Sequence, residues 1–232
     1  MKVNTDMRIA ILLPGQPRFN KDFTNFLNNL QGYDQADWFC YITNNNRTDD
    51  VSKDVNIPAE WITFDIEEAK DRLYSYLPAN NHIRAFDISD CEQIPIPSIP
   101  RQSHYKGWYN IYRANQLRIN SGIKYDMVIR ARSDVGINEP FNLQTIDQTL
   151  LDNTIIMPGN QWAGVGEFEA CDQFAISSSA NMNIYADLAN KVDGYLNENL
   201  FGYNPEALLG LHLKRNNVLT VKGDYTISLR WA

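Results

Sequence analysis

Arg130, Arg132 and Asp134 stand at alternate positions near the end of the stretch Tyr125 to Val135, YDMVIRARSDV. A carboxylate beside guanidinium groups suits a divalent cation and a phosphorylated ligand. Carboxylate oxygens ligate hard cations, and the planar guanidinium fork grips phosphate oxygens in pairs. The plainer alternative for Asp134 is a helix N-cap or an ion pair with Arg130 or Arg132. A second group, Gly159 to Gln173, carries Trp162, Glu167, Glu169 and Asp172 among glycines. Aromatic faces with nearby carboxylates suit a sugar, whose CH faces are apolar and whose hydroxyls need acceptors; a mobile loop around a buried Trp reads the same way. In Pro14-Gly15-Gln16-Pro17-Arg18 the glycine lets backbone approach a ligand and Arg18 can reach a phosphate or stack on a base, although a Pro-Gly turn with a surface Arg has the same sequence. His212, between Leu211 and Leu213, is either structural or a ligand.

These residues need elements to hold them. Met127, Ile129 and Ala131 alternate with Val128, Arg130 and Arg132, the period of a strand, which is predicted at Met127–Ala131. In an open α/β sheet ligands sit outside the carboxyl ends of strands, where Asp134 is delivered. The pattern predicts further strands at Arg8–Leu13, Asp37–Ile42, Trp61–Phe64, Arg84–Ile88, Thr154–Met157, Phe174–Ser177, Val218–Val221 and Thr226–Leu229. Helices are predicted at Lys21–Leu30, Ile66–Leu77, His104–Asn120, Ile146–Leu151, Ala180–Lys191 and Pro205–Arg215. Strand and helix alternate through the first half, which predicts a parallel sheet with crossovers. In the longest helix Trp108, Ile111, Tyr112, Asn115 and Ile119 are expected to face the core, with Asn110, Arg113 and Gln116 on a groove or in solvent. The three prolines between Ile94 and Pro100 make that run an extended connection, a candidate acceptor-side wall. Asn204 as N-cap, Pro205 at the first helical position and Glu206 in the first turn mark a helix start.

A hydrophobic strand ending in Asp-x-Asp is the mark of glycosyltransferases with the nucleotide-sugar-binding GT-A fold, and Arg132-Ser133-Asp134 resembles a variant with the first Asp replaced. Ile11 to Arg18, Asp37 to Ile42, Tyr109 to Leu117 and Asp172 to Ile176 resemble successive blocks of small bacterial and viral enzymes of this kind, spread over most of the chain. The resemblance implies one α/β domain of GT-A type, Rossmann-like, with a mixed, mainly parallel sheet flanked by helices. Its nucleotide-binding half is expected over about 1–135 and its acceptor-binding half over about 136–232. It implies sugar transfer from a nucleoside-diphosphate sugar to a glycan, a lipid-linked sugar or another hydroxyl acceptor. Leu13, Gly15 and Arg18 then belong to the nucleoside end, and Arg130, Arg132 and Asp134 to the diphosphate end. Asp134 would bind Mg or Mn, with His212 completing the shell. Asp172 is the expected general base, and Glu206, at a positive helix end, its competitor. Arg132 departs from the family pattern. Either a metal stays, held by Asp134 with help from elsewhere, or cationic side chains assume part of its work on the leaving group.

The remaining constraints come from composition. At 232 residues the chain suits one α/β domain, and 44% hydrophobic with 21% charged residues is a globular balance. A formal charge of −7 argues against nucleic acid as the main partner, while leaving room for a local basic pocket. Cys40, Cys91 and Cys171 are odd in number and lack metal-type spacing, which fits a reducing compartment. The apolar run Ile9 to Leu13 is too short for a signal peptide or a membrane span, so the expected location is cytoplasmic, peripheral to a membrane where the acceptor is lipid-linked. Walker, Gly-x-Gly-x-x-Gly, Gly-x-Ser-x-Gly and His-Glu-x-x-His motifs do not occur. A nucleotidyltransferase would carry a Gly-rich, Lys-bearing first loop, and here that loop offers only Gly15, with no Lys before Lys21. A glycan- or nucleotide-binding or scaffolding protein that keeps this fold without its chemistry is the rival that the missing first Asp suggests.

Overall fold

The computed structural model describes residues 7–16, 21–44, 66–90, 102–198 and 204–229. The expected strand Trp61–Phe64, the run Ile94–Pro100, Cys91 and Arg18 lie outside the described residues. Strand β1 (Ile9–Gly15) is a continuous aliphatic run because both its faces are covered, the condition of a central parallel strand. It pairs in parallel with β3 (Asp37–Asn44) on one side and β5 (Met127–Ala131) on the other. Beyond β3 lies β4 (His82–Asp90), again parallel. On the other flank β11 (Phe174–Ser177) runs antiparallel to β5 and to β8 (Thr154–Met157), and β12 (Leu219–Lys222) closes that edge parallel to β8. The seven-stranded sheet has the order β12-β8-β11-β5-β1-β3-β4, so it is mostly parallel with one reversed strand.

Helices cover both faces. On one, Phe23 and Phe26 of α1 (Lys21–Asn29) meet Trp38 of β3 edge-on at 6.3 and 6.4 Å, and Phe26 meets Phe174 of β11 at 6.0 Å. On the other, α3 (Gln102–Asn120) lies across β1 and β3, and its Trp108 meets Tyr185 of α5 (Ser179–Asp187) at 6.0 Å. The helix α2 (Ile66–Tyr76) precedes β4. A short α4 (Gln148–Leu151) is capped by Asp147, and α6 (Val192–Asn197) follows α5 after a single 3-10 turn at Leu188–Asn190. In α7 (Pro205–Arg215) the Asn204 side chain accepts from the Ala207 N–H, as the cap signal predicts. No helix among the described residues is long and apolar enough to cross a membrane.

Several expectations need correction. The buried stripe of α3 is Trp108, Ile111, Ala114, Asn115 and Arg118, with Asn110 beside it, whereas Ile119 is 42% exposed. Ile119 shares the side of Trp108 and Asn115, but it stands in the last turn of the helix, where it borders an open cavity instead of the core. The segment expected to be one helix from Ala180 to Lys191 breaks after Asp187. Between Trp162 and Cys171 the chain forms a hairpin, β9 (Ala163–Val165) and β10 (Phe168–Ala170), which packs on α7. Gly210 permits that contact: a Cβ there would lie 2.8 Å from the backbone carbon of Phe168. Four further short strands pair among the described residues, β2 (Leu30–Gln31) with β7 (Phe141–Asn142), and β6 (Val135–Ile137) with β13 (Ile227–Leu229).

Candidate functional site

The carboxyl ends of β1 and β5 meet where the sheet order reverses: β1 leads outward to β3 and β4, and the chain then returns to β5 on the opposite side. Such a switch point opens a crevice between the two strand ends. Across it the Ser133 hydroxyl donates to the Gln16 carbonyl at 2.6 Å, tying the loop after β1 to the turn after β5. Gly15 adopts φ +102°, which favours glycine, and the direction its side chain would take is open space. Leu13 is fully buried, so toward a ligand it can offer only backbone.

In the turn that directly follows β5, Arg132 and Asp134 form a closed fork. Arg132 Nε donates to Asp134 Oδ1 at 2.8 Å and Nη2 to Oδ2 at 2.7 Å. Burial works to lower the Arg132 pKa, but the Asp134 carboxylate, with Asp172 beyond it, outweighs that and holds it above the ordinary arginine value. This is the ion-pair alternative for Asp134, realised in bidentate geometry.

The fork bears directly on the expected metal. Both Asp134 oxygens already receive N–H groups, and the positive charge beside them is the guanidinium, so the arrangement does not fit a Mg or Mn ion held on Asp134. His212 does not supply the missing ligand either. Its Nε2 donates to the Ile184 carbonyl at 2.7 Å and its Nδ1 accepts from the Tyr195 hydroxyl at 2.9 Å. Burial pushes its pKa down, as expected for a neutral imidazole fixed between helices. The role expected for His212 as a metal helper is therefore replaced by a structural one.

Arg130 is different. It is only 5% exposed, and its Nε and Nη1 have no hydrogen-bond partner. Its side chain points to the α3–α5 face, since β5 alternates, and there its charge is felt by Tyr185 and Cys171. Tyr185 is fully buried with its hydroxyl unpartnered, and the Gln173 Oε1 is buried and unpartnered as well. Because β11 runs antiparallel to β5, Asp172 and Gln173 at its start lie at the same edge of the sheet as Arg132 and Asp134. The first turn of α7 adds Glu206. Burial, and then the like charge of Asp172, push the Glu206 pKa above the usual carboxylate value.

One edge of the sheet thus gathers Gly15, Arg130, Arg132, Asp134, Asp172 and Glu206 from the expected set, and leaves His212 in the helical layer. Ser133 and Gln173, from motifs the sequence already marks, join them without an expected role, and so does Tyr185, which no motif marks. Ser133 lies inside a motif already under scrutiny, but nothing about a tyrosine in mid-helix announces a neighbour 55 residues away. Trp162 is half-buried, donates its indole N–H to the Pro158 carbonyl and carries Lys222 over its ring at 4.9 Å, so one of its faces is already covered. No protein-family model matches the chain, and no curated protein matches it. The chemistry of this edge is consequently read from its side chains. A buried guanidinium with unmade bonds can receive an anionic oxygen pair, and a carboxylate with a raised pKa holds a proton more readily than an ordinary one.

Proposed function

We propose that this chain is a glycosyltransferase of the GT-A type, moving a sugar from a nucleoside-diphosphate donor to a hydroxyl of a glycan or a lipid-linked acceptor. The observation that carries this reading is the buried guanidinium of Arg130, with two nitrogens unpartnered at the carboxyl end of a central strand. Buried donors are normally satisfied, and an orphaned pair of this polarity calls for an anionic oxygen pair such as a diphosphate presents. In this reading Arg130 takes up the charge that grows on the diphosphate as the bond between its oxygen and the anomeric carbon breaks. The acceptor oxygen bonds to that carbon, and its proton passes to Glu206 or Asp172. The raised pKa of Glu206 favours it for that proton. Because the Arg132–Asp134 fork does not fit a metal, no step is assigned to one.

The test is a thermal-shift and calorimetry panel of UDP, GDP, CDP and TDP, each with and without EDTA, followed by hydrolysis assays of the corresponding nucleotide sugars. A ligand that binds only the folded state raises Tm with its affinity. One of these diphosphates should raise Tm, with Arg130→Gln losing the effect. If none binds, the donor reading is wrong. A second reading, a non-catalytic glycan- or nucleotide-binding protein, is favoured by the closed fork itself. It predicts tight nucleotide binding with no turnover of any nucleotide sugar.

A further inference from the structure

At the other end of the sheet α3, α5 and α7 enclose an open cavity of about 340 Å³. Arg118 of α3 donates to the Ser179 carbonyl and hydroxyl, and the Ser179 hydroxyl donates to the carbonyl of Tyr125, which precedes β5. The whole of β5, roughly 17 Å at the rise of a strand, therefore separates this region from Asp134.

The cavity wall is made of amides whose orientation is settled by their partners. Arg118 is buried and can only donate, so the oxygens of Asn115 and Asn183 must face it, at 2.9 Å from Nε and 2.5 Å from Nη2. Asn115 then donates to the same Asn183 oxygen at 3.0 Å. With its oxygen doubly bonded, Asn183 turns its NH2 group away from Arg118, and that group is polarised by the bonds behind it. Asn216 is clamped the opposite way: its NH2 donates to the His212 carbonyl at 2.8 Å, which leaves its oxygen free to accept. Gln116 lies between them on α3, and Asp187 contributes a carboxylate whose nearest cation, Lys191, is 3.8 Å away. Tyr112 and the 42% exposed Ile119 supply apolar surface.

No lysine or arginine lines this cavity, and His212 within it is held neutral by burial and occupied at both ring nitrogens. An anion has nothing to pair with there. We infer that the cavity between α3, α5 and α7 is a binding site for a neutral saccharide. Hydroxyls donate and accept at once, matching the free NH2 of Asn183, the free oxygen of Asn216 and both ends of Gln116. The CH faces of a sugar ring match Tyr112 and Ile119. The volume lies at the lower end of ligand pockets and suits a short saccharide. Amides already fixed by Arg118 and by the backbone lose little freedom on binding. This inference does not rest on the donor reading.

Saturation-transfer NMR and calorimetry on the full chain test it, with maltotriose, cellotriose and triacetylchitotriose as neutral probes and a sialylated trisaccharide and UDP as anionic ones. At least one neutral trisaccharide is expected to bind, with Gln116→Ala and Ile119→Trp each weakening it by at least about tenfold. Both positions are on the surface of α3, and unchanged Tm of the two variants will show that folding is intact. Arg130→Gln should leave saccharide affinity as it is, which separates failure at this cavity from failure of the diphosphate site. Absence of binding by every neutral probe overturns the inference. So does binding that both α3 variants leave unchanged, or a preference for the anionic probes.

Discussion

Replacing Arg130 by Met should move stability and ligand binding in opposite directions. The side chain is 5% exposed and leaves Nε and Nη1 unbonded, so the empty protein bears the desolvation of donors that have lost water and gained nothing. Each unsatisfied buried group of this kind costs about 1–3 kcal/mol. Methionine fills similar space with no polar atom to satisfy, and removing the penalty should stabilise the free protein by about 2 kcal/mol. For a chain of this size that raises Tm by roughly 4–8 °C. A charge-assisted hydrogen bond to a diphosphate contributes about 1.5–3 kcal/mol, so the same variant should bind the preferred nucleoside diphosphate at least roughly tenfold more weakly. Differential scanning calorimetry of the free proteins and titration of the diphosphate measure the two effects separately. A drop in Tm would mean that Arg130 has a structural partner in solution, and unchanged diphosphate affinity would remove it from the site.

Three other perturbations follow from the same geometry. Asp134→Asn weakens the fork on Arg132 and should lower stability by about 1 kcal/mol, while the released guanidinium strengthens diphosphate binding; chelation by EDTA should not change wild-type affinity, and a loss of binding in EDTA would restore the metal to this site. Glu206 has a raised pKa in the folded state, so its contribution to stability is fully present below the ordinary glutamate value of about 4.3 and is lost as pH rises through the raised one. Glu206→Gln should therefore be more stable than wild type at pH 7, with the difference vanishing below about pH 4; a pH-independent difference between their unfolding curves would contradict the burial and Asp172 account. Gly210→Ala places a Cβ 2.8 Å from the Phe168 backbone and must push the β9–β10 hairpin off α7, at about 1–3 kcal/mol in chemical denaturation. An unchanged unfolding midpoint would show that the hairpin yields freely.

The sequence alone determined the elements whose signals are local. Strands β5, β8 and β11 coincide with their predicted bounds because each is an apolar run ended by polar or turn residues, and α7 begins where Asn204 and Pro205 say it should. The placement of Asp134 at a strand end was legible for the same reason. Strands β9 and β10 were not, since Ala163 to Val165 and Phe168 to Ala170 are short and partly exposed, and it is α7 with its bare Gly210 that gives them a surface to pack on. Partnerships were equally hidden. Periodicity tells which face of an element is buried, but not which other element covers it. The reversal of β11 brings Asp172 to the end of β5, and the placement of α7 against α5 and α6 commits the nitrogens of His212 to Ile184 of the one and Tyr195 of the other. Whether a charged side chain is satisfied or orphaned depends on groups tens of residues away, so the closed fork of Arg132 and the open one of Arg130 could be separated only by the tertiary structure.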